Sequence, residues 1–531
     1  MRCLSEKVIP SNEPSPLQWT SWPQPPSAGF KRRTHGGDAT VFASSGASID
    51  PATTLAAAIP NVARTVAPAA DPSLTAPLLV LAALALSYAL QLSDGHYQRE
   101  ALGWLAVALI GAVLAVVASA LWRQGLPSYA LPALLGVGIF VELGLALGKM
   151  PGIYLAASWR GDYAPLFAGL VVAAVLVGLG LWGRGPLDRV WFPLLLLTFF
   201  LLGVWVLRQS PKPYIDVFVF QQQGSAAFLR GENSYNLTFP NIYGDSLYYG
   251  PGLSADGQLN FGFPYPPLSL FMALPGYLFA GDYRYAQLLA LIGAGALLAV
   301  ARPGRIGALA ATLLLFSPRA FFVLEQGWTE PFVIFLLALT VTCACRWPRA
   351  LPLALGLLLA SKQTMVFVPI IAFLLVGGLA GWRAWWGLLW RAGLFALVVS
   401  LPLALGALRG FVNAVILLQL YQPLRTDALS YAAVLARAGL PAPTWLAFAV
   451  VVPALALALW RGARTPAGFA AGVALVYLAF FAVNKQAFCN YYFFALGALC
   501  CAVAATQPAA SGTPAPRDQT SAVKLATVTR S

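Results

Sequence analysis

In a chain this apolar, the residues able to do chemistry stand out by where they fall. Asp216 is a lone acid in "SPKPYIDVFVFQQQG", residues 210–224, placed just after a long apolar run and followed closely by Gln221, Gln222 and Gln223. Gln326 and Glu330 lie in "LEQGWTEP", and Lys362 and Gln363 interrupt an apolar run in "LASKQTMVF". Arg425 and Asp427 belong to "YQPLRTDALSY", while Lys485, Gln486 and Asn490 interrupt "VNKQAFCNYYFF". A carboxylate can take a proton, an arginine can grip a phosphate with two bonds, and a lysine meets it as a point charge. Charge held at or inside a membrane is costly, so such groups have partners or ligands.

Plainer readings stand beside each of these. A lysine at a helix end can snorkel to the interface, and Arg425 with Asp427 can be a local salt bridge. Tyr491, Tyr492 and Phe493 suit an interfacial aromatic belt, and Asp216 can serve as a helix N-cap. From Asp216 onward, helical spacing puts Val217, Phe220, Gly224, Ala227 and Phe228 on one stripe, with Asp216, Gln223 and Arg230 on another. That pattern predicts an amphipathic helix lying in the interface, polar side toward water.

The elements that must position these residues are membrane helices. Of 531 residues, 59% are hydrophobic and only 10% charged, with a mean hydropathy of +0.73. A soluble protein of this length needs far more charge to coat its surface, so the class is all-α polytopic membrane protein. The net charge of +14 is scattered singly between apolar runs. It reads as topogenic charge on membrane loops, and nucleic acid is not expected as a partner. With only two histidines, His35 and His96, a histidine-rich metal site is not expected, and Cys343 with Cys345 has no second pair at metal spacing. Cys3, Cys489, Cys500 and Cys501 imply no disulfide framework, and no metal or cofactor is expected.

Residues 1–72, rich in Pro, Ser, Ala and Thr, read as a disordered cytoplasmic tail, and 507–531 as a shorter one. Candidate spans lie near 76–92, 101–121, 130–148, 164–182, 190–207, 285–301, 306–322, 328–346, 350–361, 364–379, 388–405, 442–459, 467–483 and 488–505. The connections 208–263 and 406–441 are too long for turns and, being rich in Tyr, Phe and Asn, are expected to fold against the membrane surface. Positive charge near span ends places Arg123, Arg184, Arg189, "CRWPRA" and "WRGARTP" inside. The polar clusters then share the outer face. Counts from the two termini disagree by one crossing, at 263–283, whose Pro264, Pro266, Pro267 and Pro275 suit a re-entrant or half-span element.

An Asp in the first long external loop, "GENSY" at 231–235, "FGFPYPPL" at 261–268 and the later "SKQ" at 361–363 together resemble integral-membrane GT-C glycosyltransferases. Closest in appearance are the bacterial polyprenol-phosphate-mannose-dependent mannosyltransferases, glycosyltransferase family 87. The resemblance covers about 190–506 as a GT-C-like catalytic region and leaves 73–189 as extra N-terminal transmembrane helices.

The resemblance implies a sugar, mannose, moved from a polyprenyl-phosphate donor to a hydroxyl of a lipid or glycan acceptor at the external face of the plasma membrane. It puts the general base on Asp216, and a single carboxylate suits direct, inverting displacement. Lys362, Lys485 and Arg425 are the implied donor-phosphate ligands, and Gln222, Tyr265, Gln326, Glu330, Gln363, Gln486 and Asn490 the substrate-binding set. Asp216 with Glu330 or Asp245 stays open as a metal-ligating alternative. Some relatives place a histidine near the site, whereas His35 and His96 both precede the resembling region. Two other classes compete: a secondary transporter of a small solute or lipid, and a non-catalytic membrane scaffold. Transporters carry repeats and polar breaks near the bilayer midplane; no repeat is evident, and the charges above sit at span ends.

Overall fold

The computed structural model describes residues 74–121, 127–156, 163–183, 185, 187–244, 246–376 and 381–506. The expected tails, Asp245, Arg123 and Arg184 lie outside the described residues.

The described chain is an all-α polytopic membrane protein. Seven of its helices are long and apolar enough to cross a membrane, or eight if one bent pair is a single span. They are Thr75–Ser93, Arg99–Ala118, Ala130–Leu147, Ala164–Trp182, Asp188–Gln209, Arg284–Ala301 and Gly381–Leu405. The bent pair is Ile306–Leu315 with Ala320–Gln326, which meet at 54°. An unbroken span over 306–322 was expected. Instead the helix stops at Phe316, and Ser317 and Pro318 redirect the chain, because Pro disfavours helical backbone in the residue before it. Shorter apolar helices complete the bundle, including Glu330–Arg346, Trp445–Arg461, Pro466–Ala482 and Cys489–Ala505.

One continuous apolar core runs through these helices. It takes Leu79, Leu86, Leu105 and Ile139 from the N-terminal helices together with Leu313, Leu337, Phe493 and Leu499 from the remainder. The extra N-terminal helices are therefore packed into the same bundle. Small residues allow close approach, as where Ala82 faces Gly111.

The helix Pro267–Ala280 carries the prolines that made its path ambiguous. Both of its ends lie at the same end of the bundle. Gln363 donates to the Pro264 carbonyl just before it, and Gln222 donates to the Gly281 carbonyl just after it. A helix with both ends on one side adds no crossing, in keeping with the half-span element expected at 263–283.

The two long connections fold together. Phe220, Tyr235, Phe239, Phe261 and Phe263 from the first share a second core with Leu403, Val415 and Leu418 around the second. The connection at 406–441 contains the helix Leu408–Tyr421, with a π-helical stretch at Val412–Leu417, and the helix Tyr431–Arg437. In the first connection, Ser254–Ala255 and Gln258–Leu259 form a small antiparallel hairpin. Its turn residues Asp256 and Gly257 both have positive φ, as a two-residue hairpin turn requires.

Candidate functional site

The helix Asp216–Leu229 forms as its pattern predicts. Val217, Phe220, Gly224 and Ala227 are buried, and Gln223 and Arg230 face solvent. Asp216 departs from the polar stripe it was expected to join. It is half-buried, and its Oδ2 accepts a 2.9 Å hydrogen bond from the Tyr249 hydroxyl. Its own N–H donates to the Tyr243 hydroxyl at 3.2 Å, and its Oδ1 accepts from the Val217 N–H at 2.7 Å. Ile215 holds the N-cap position without a side-chain cap bond, so Asp216 is the first helical residue rather than the cap.

Burial pushes the Asp216 carboxyl above the usual carboxylate range, and the Tyr249 hydroxyl, the Val217 N–H and the Arg425 charge only partly offset it. Burial and the Asp216 charge likewise raise the Tyr249 and Tyr243 phenols, which stay protonated. Tyr248 stacks on Tyr243 with ring centroids 4.5 Å apart, and the Arg425 guanidinium lies 4.4 Å over Tyr248 and 5.0 Å over Phe488. Aromatic faces attract such a cation.

Arg425 is also held by Asp427 through two bonds of 2.8 and 2.7 Å. Burial opposes the Asp427 charge, but the paired guanidinium outweighs it and holds this carboxyl below its ordinary range. The Arg425 N–H donates to the Lys485 carbonyl at 2.9 Å, and Gln486 donates to the Pro423 carbonyl at 3.1 Å. Lys485 itself donates to the Leu420 carbonyl at 3.0 Å, and burial lowers its ammonium pKa. The segments 422–430 and 484–488 thus form one wall near Asp216.

A second group gathers at Glu330. Its Oε1 pairs with the Lys362 ammonium and accepts from the Asn490 amide at 2.9 Å. The lysine lies 5.1 Å over the Tyr491 ring. Gln363, the neighbour of Lys362, donates to the Pro264 carbonyl at 3.1 Å, which brings Tyr265 beside this group. Burial raises the Tyr265 phenol first, and both the Asp216 and Glu330 charges raise it further, so this ring lies within the field of both carboxylates.

Two of the motifs that carried the resemblance, "GENSY" and "FGFPYPPL", are packed on each other. The Phe263 N–H donates to the Ser234 carbonyl at 3.1 Å, and the Tyr235 hydroxyl donates to the Tyr265 carbonyl at 2.8 Å. A Cβ on Gly262 would stand 2.3 Å from the Tyr235 carbonyl oxygen, so no larger residue fits there.

Two expected substrate residues are occupied elsewhere. Gln222 bridges the Gly281 carbonyl and the Tyr283 N–H, holding the turn after Pro267–Ala280. Gln326 is buried and donates to Glu325 at 3.0 Å.

Several residues here escaped the sequence reading. Glu325 accepts from the Ile153 and Tyr154 N–H groups at 2.8 and 2.7 Å, and the Ala156 N–H donates to the Gln209 carbonyl at 2.9 Å. Segment 149–156 of the extra helices is thereby pinned beside the chain that leads to Asp216. The fully buried Arg284 ties Asp282 to the Ser210 and Glu325 carbonyls. Arg319 joins Gln91, the Met150 carbonyl and Asp94, which also pairs with Lys149 at 2.8 Å. His96, which precedes the resembling region, faces Phe488 at 5.5 Å, and the neighbouring Tyr97 N–H donates to the Asp427 carbonyl. For Gln91, Asp94, His96 and Lys149 the sequence signal was a polar residue at the end of an N-terminal helix, and for Arg284, Arg319 and Glu325 a charge at the end of a later one.

Among the described residues, no three His, Cys, Asp or Glu gather as metal ligands. The arrangement is a raised carboxylate with a tyrosine donor, a guanidinium in its field, and a second polar group around Glu330. Such a set can hold an anion and take a proton from a bound hydroxyl. Comparison of the chain with family models, with curated proteins and with solved structures finds no match in any of the three.

Proposed function

We propose that the chain is an integral-membrane glycosyltransferase with a GT-C-like bundle, moving a sugar from a polyprenyl-phosphate donor to an acceptor hydroxyl. The observation that carries this reading is the half-buried Asp216 carboxyl, raised above its usual range, bonded by the Tyr249 hydroxyl and with Arg425 in its field. A base works best with a pKa near the working pH, and burial moves Asp216 in that direction. In the reaction, the acceptor oxygen bonds to the anomeric carbon as that carbon's bond to the phosphate oxygen breaks. The proton passes to Asp216, and the electron pair leaves on polyprenyl phosphate. Arg425 and Lys485 receive the developing phosphate charge. One carboxylate in this role gives inversion.

The site end of the bundle faces outward from the plasma membrane. At the opposite end stand Arg302, Arg305, Arg346, Arg461 and Arg464, with Asp188 beside Arg305, the pattern of a cytoplasmic face. Mannose is the sugar implied by the family resemblance; arabinose and glucose fit the same residues.

Replacing Asp216 with Asn tests the assignment. Transfer from polyprenyl-phosphate-mannose should fall by roughly 10²- to 10⁴-fold. Transfer at the wild-type rate would remove Asp216 as the base. Transport is the second reading, and one observation favours it: Glu142 is buried within Ala130–Leu147 with Ser87 as its polar neighbour. Uptake of a labelled solute into vesicles without glycosyl product would decide for it.

A further inference from the structure

We propose that Glu330, Lys362, Gln363 and Asn490 form a subsite for the hydroxyls of a neutral sugar, with Lys362 held by Glu330 rather than by the donor phosphate. This deepens, and rests on, the glycosyltransferase reading, and it reassigns Lys362 from the phosphate set implied by the resemblance.

Lys362 sits where the helix Leu351–Ser361 ends, with extended backbone at φ −155° and ψ 143°, before the 3-10 turn Gln363–Phe367. That break turns its side chain to Glu330, and the two side chains are only 8% and 2% exposed. Breaking a buried pair leaves an uncompensated charge, which is strongly unfavourable. A lysine leaving Glu330 for a phosphate would strand a buried carboxylate beside a second anion. Lys362 therefore stays with Glu330.

The remaining polar atoms point to the ligand class. Glu330 Oε2 and Gln363 Oε1 are both buried and have no hydrogen-bond partner, although Glu330 Oε1 has two and the Gln363 amide nitrogen has one. Both orphan atoms are acceptors, so they call for O–H or N–H donors. An ionised phosphate offers only acceptors, whereas a sugar ring offers several hydroxyl donors. The Glu330–Lys362 pair carries no net charge, which suits a neutral sugar rather than a uronic acid or an amino sugar. Tyr265 adjoins this group through the Gln363 bond to the Pro264 carbonyl, and the Asp216 and Glu330 charges both bear on its phenol. Phosphate is left to Lys485, whose ammonium donates to a neutral carbonyl, and to the Arg425 N–H groups that the more exposed Asp427 does not take.

The test measures binding of polyprenyl phosphate and of polyprenyl-phosphate-mannose to the purified full-length protein. It compares wild type with a Glu330→Gln/Lys362→Met double variant, which removes both charges so that neither stays buried alone. Affinity for the sugar-bearing donor should fall about 10- to 100-fold, the scale of hydrogen bonds to a charged group, while bare polyprenyl phosphate binds within about threefold of wild type. Gln363→Leu, which removes one orphan acceptor and no charge, should lower the same preference by about 3- to 10-fold and serves if the double variant does not fold. Equal losses for both ligands would place Lys362 on the phosphate, and no loss for either would place the group outside the substrate. Either result overturns the subsite. A wild-type protein that binds neither ligand would instead overturn the glycosyltransferase reading, and the subsite with it.

Discussion

Tyr249→Phe isolates the hydrogen bond that tempers the Asp216 base. The Tyr249 hydroxyl donates to Asp216 Oδ2 at 2.9 Å and so stabilises the ionised carboxylate. A hydrogen bond to a charged group contributes about 1.5–3 kcal/mol, and one pKa unit corresponds to about 1.4 kcal/mol. Full loss would raise the Asp216 pKa by about one to two units; because the carboxyl is only half-buried, water replaces part of the bond, and about one unit is expected. The base is active when ionised, so the acid limb of kcat/KM against pH should move upward by about one unit in Tyr249→Phe. Above that limb the variant should regain most of the wild-type rate. Sugar transfer from the lipid-linked donor, measured from about pH 4 to 9, reads both features. A limb that stays in place or moves downward would refute the role given to Tyr249, and no limb at all would refute Asp216 as the base.

Further predictions follow from the same geometry. Burial raises the Asp216 pKa above that of the unfolded chain, so its ionised form costs stability above the folded pKa, and that cost disappears as pH falls through it. Asp216→Asn should therefore hold or raise the Tm at neutral pH while activity is lost, and a clear drop in Tm would contradict this sign. Gly152→Ala would bring a Cβ within 2.4 Å of the Glu325 carboxyl carbon and disturb its bonds to Ile153 and Tyr154. A loss of about 1–3 kcal/mol, read as a lower Tm together with reduced transfer, is expected, and unchanged values would separate segment 149–156 from the site. Gly262→Ala meets the Tyr235 carbonyl oxygen at 2.3 Å, backbone that cannot swing aside, and should destabilise by at least as much in the same assay.

Helix positions were largely legible in the sequence, because long apolar runs need no tertiary partner to be recognised: 164–182 and 130–148 were expected and Ala164–Trp182 and Ala130–Leu147 are found. The buried stripe after Asp216 was legible for the same reason, since it follows helical periodicity alone. Breaks were only partly legible. The bend at Ser317–Pro318 lies within 306–322, expected as one span, whereas the break at Lys362 falls where "SKQ" already divided the expected pieces 350–361 and 364–379. The pairing of polar residues was not legible. Nothing in the spacing of Glu330, Lys362 and Asn490 says that they meet, because each stands at the end of a different helix.

The sequence by itself determined that this is a helical membrane protein with polar residues collected at the ends of its helices. That follows from hydropathy and from the cost of charge in hydrocarbon, both properties of short segments. Only the tertiary structure decided which helix ends share a face, that Pro267–Ala280 returns to its own side, and that Lys362 pairs with Glu330 while Arg425 stands toward Asp216. Those outcomes depend on contacts between residues far apart in the chain. There, burial and ion pairing choose among partners that local pattern leaves equivalent.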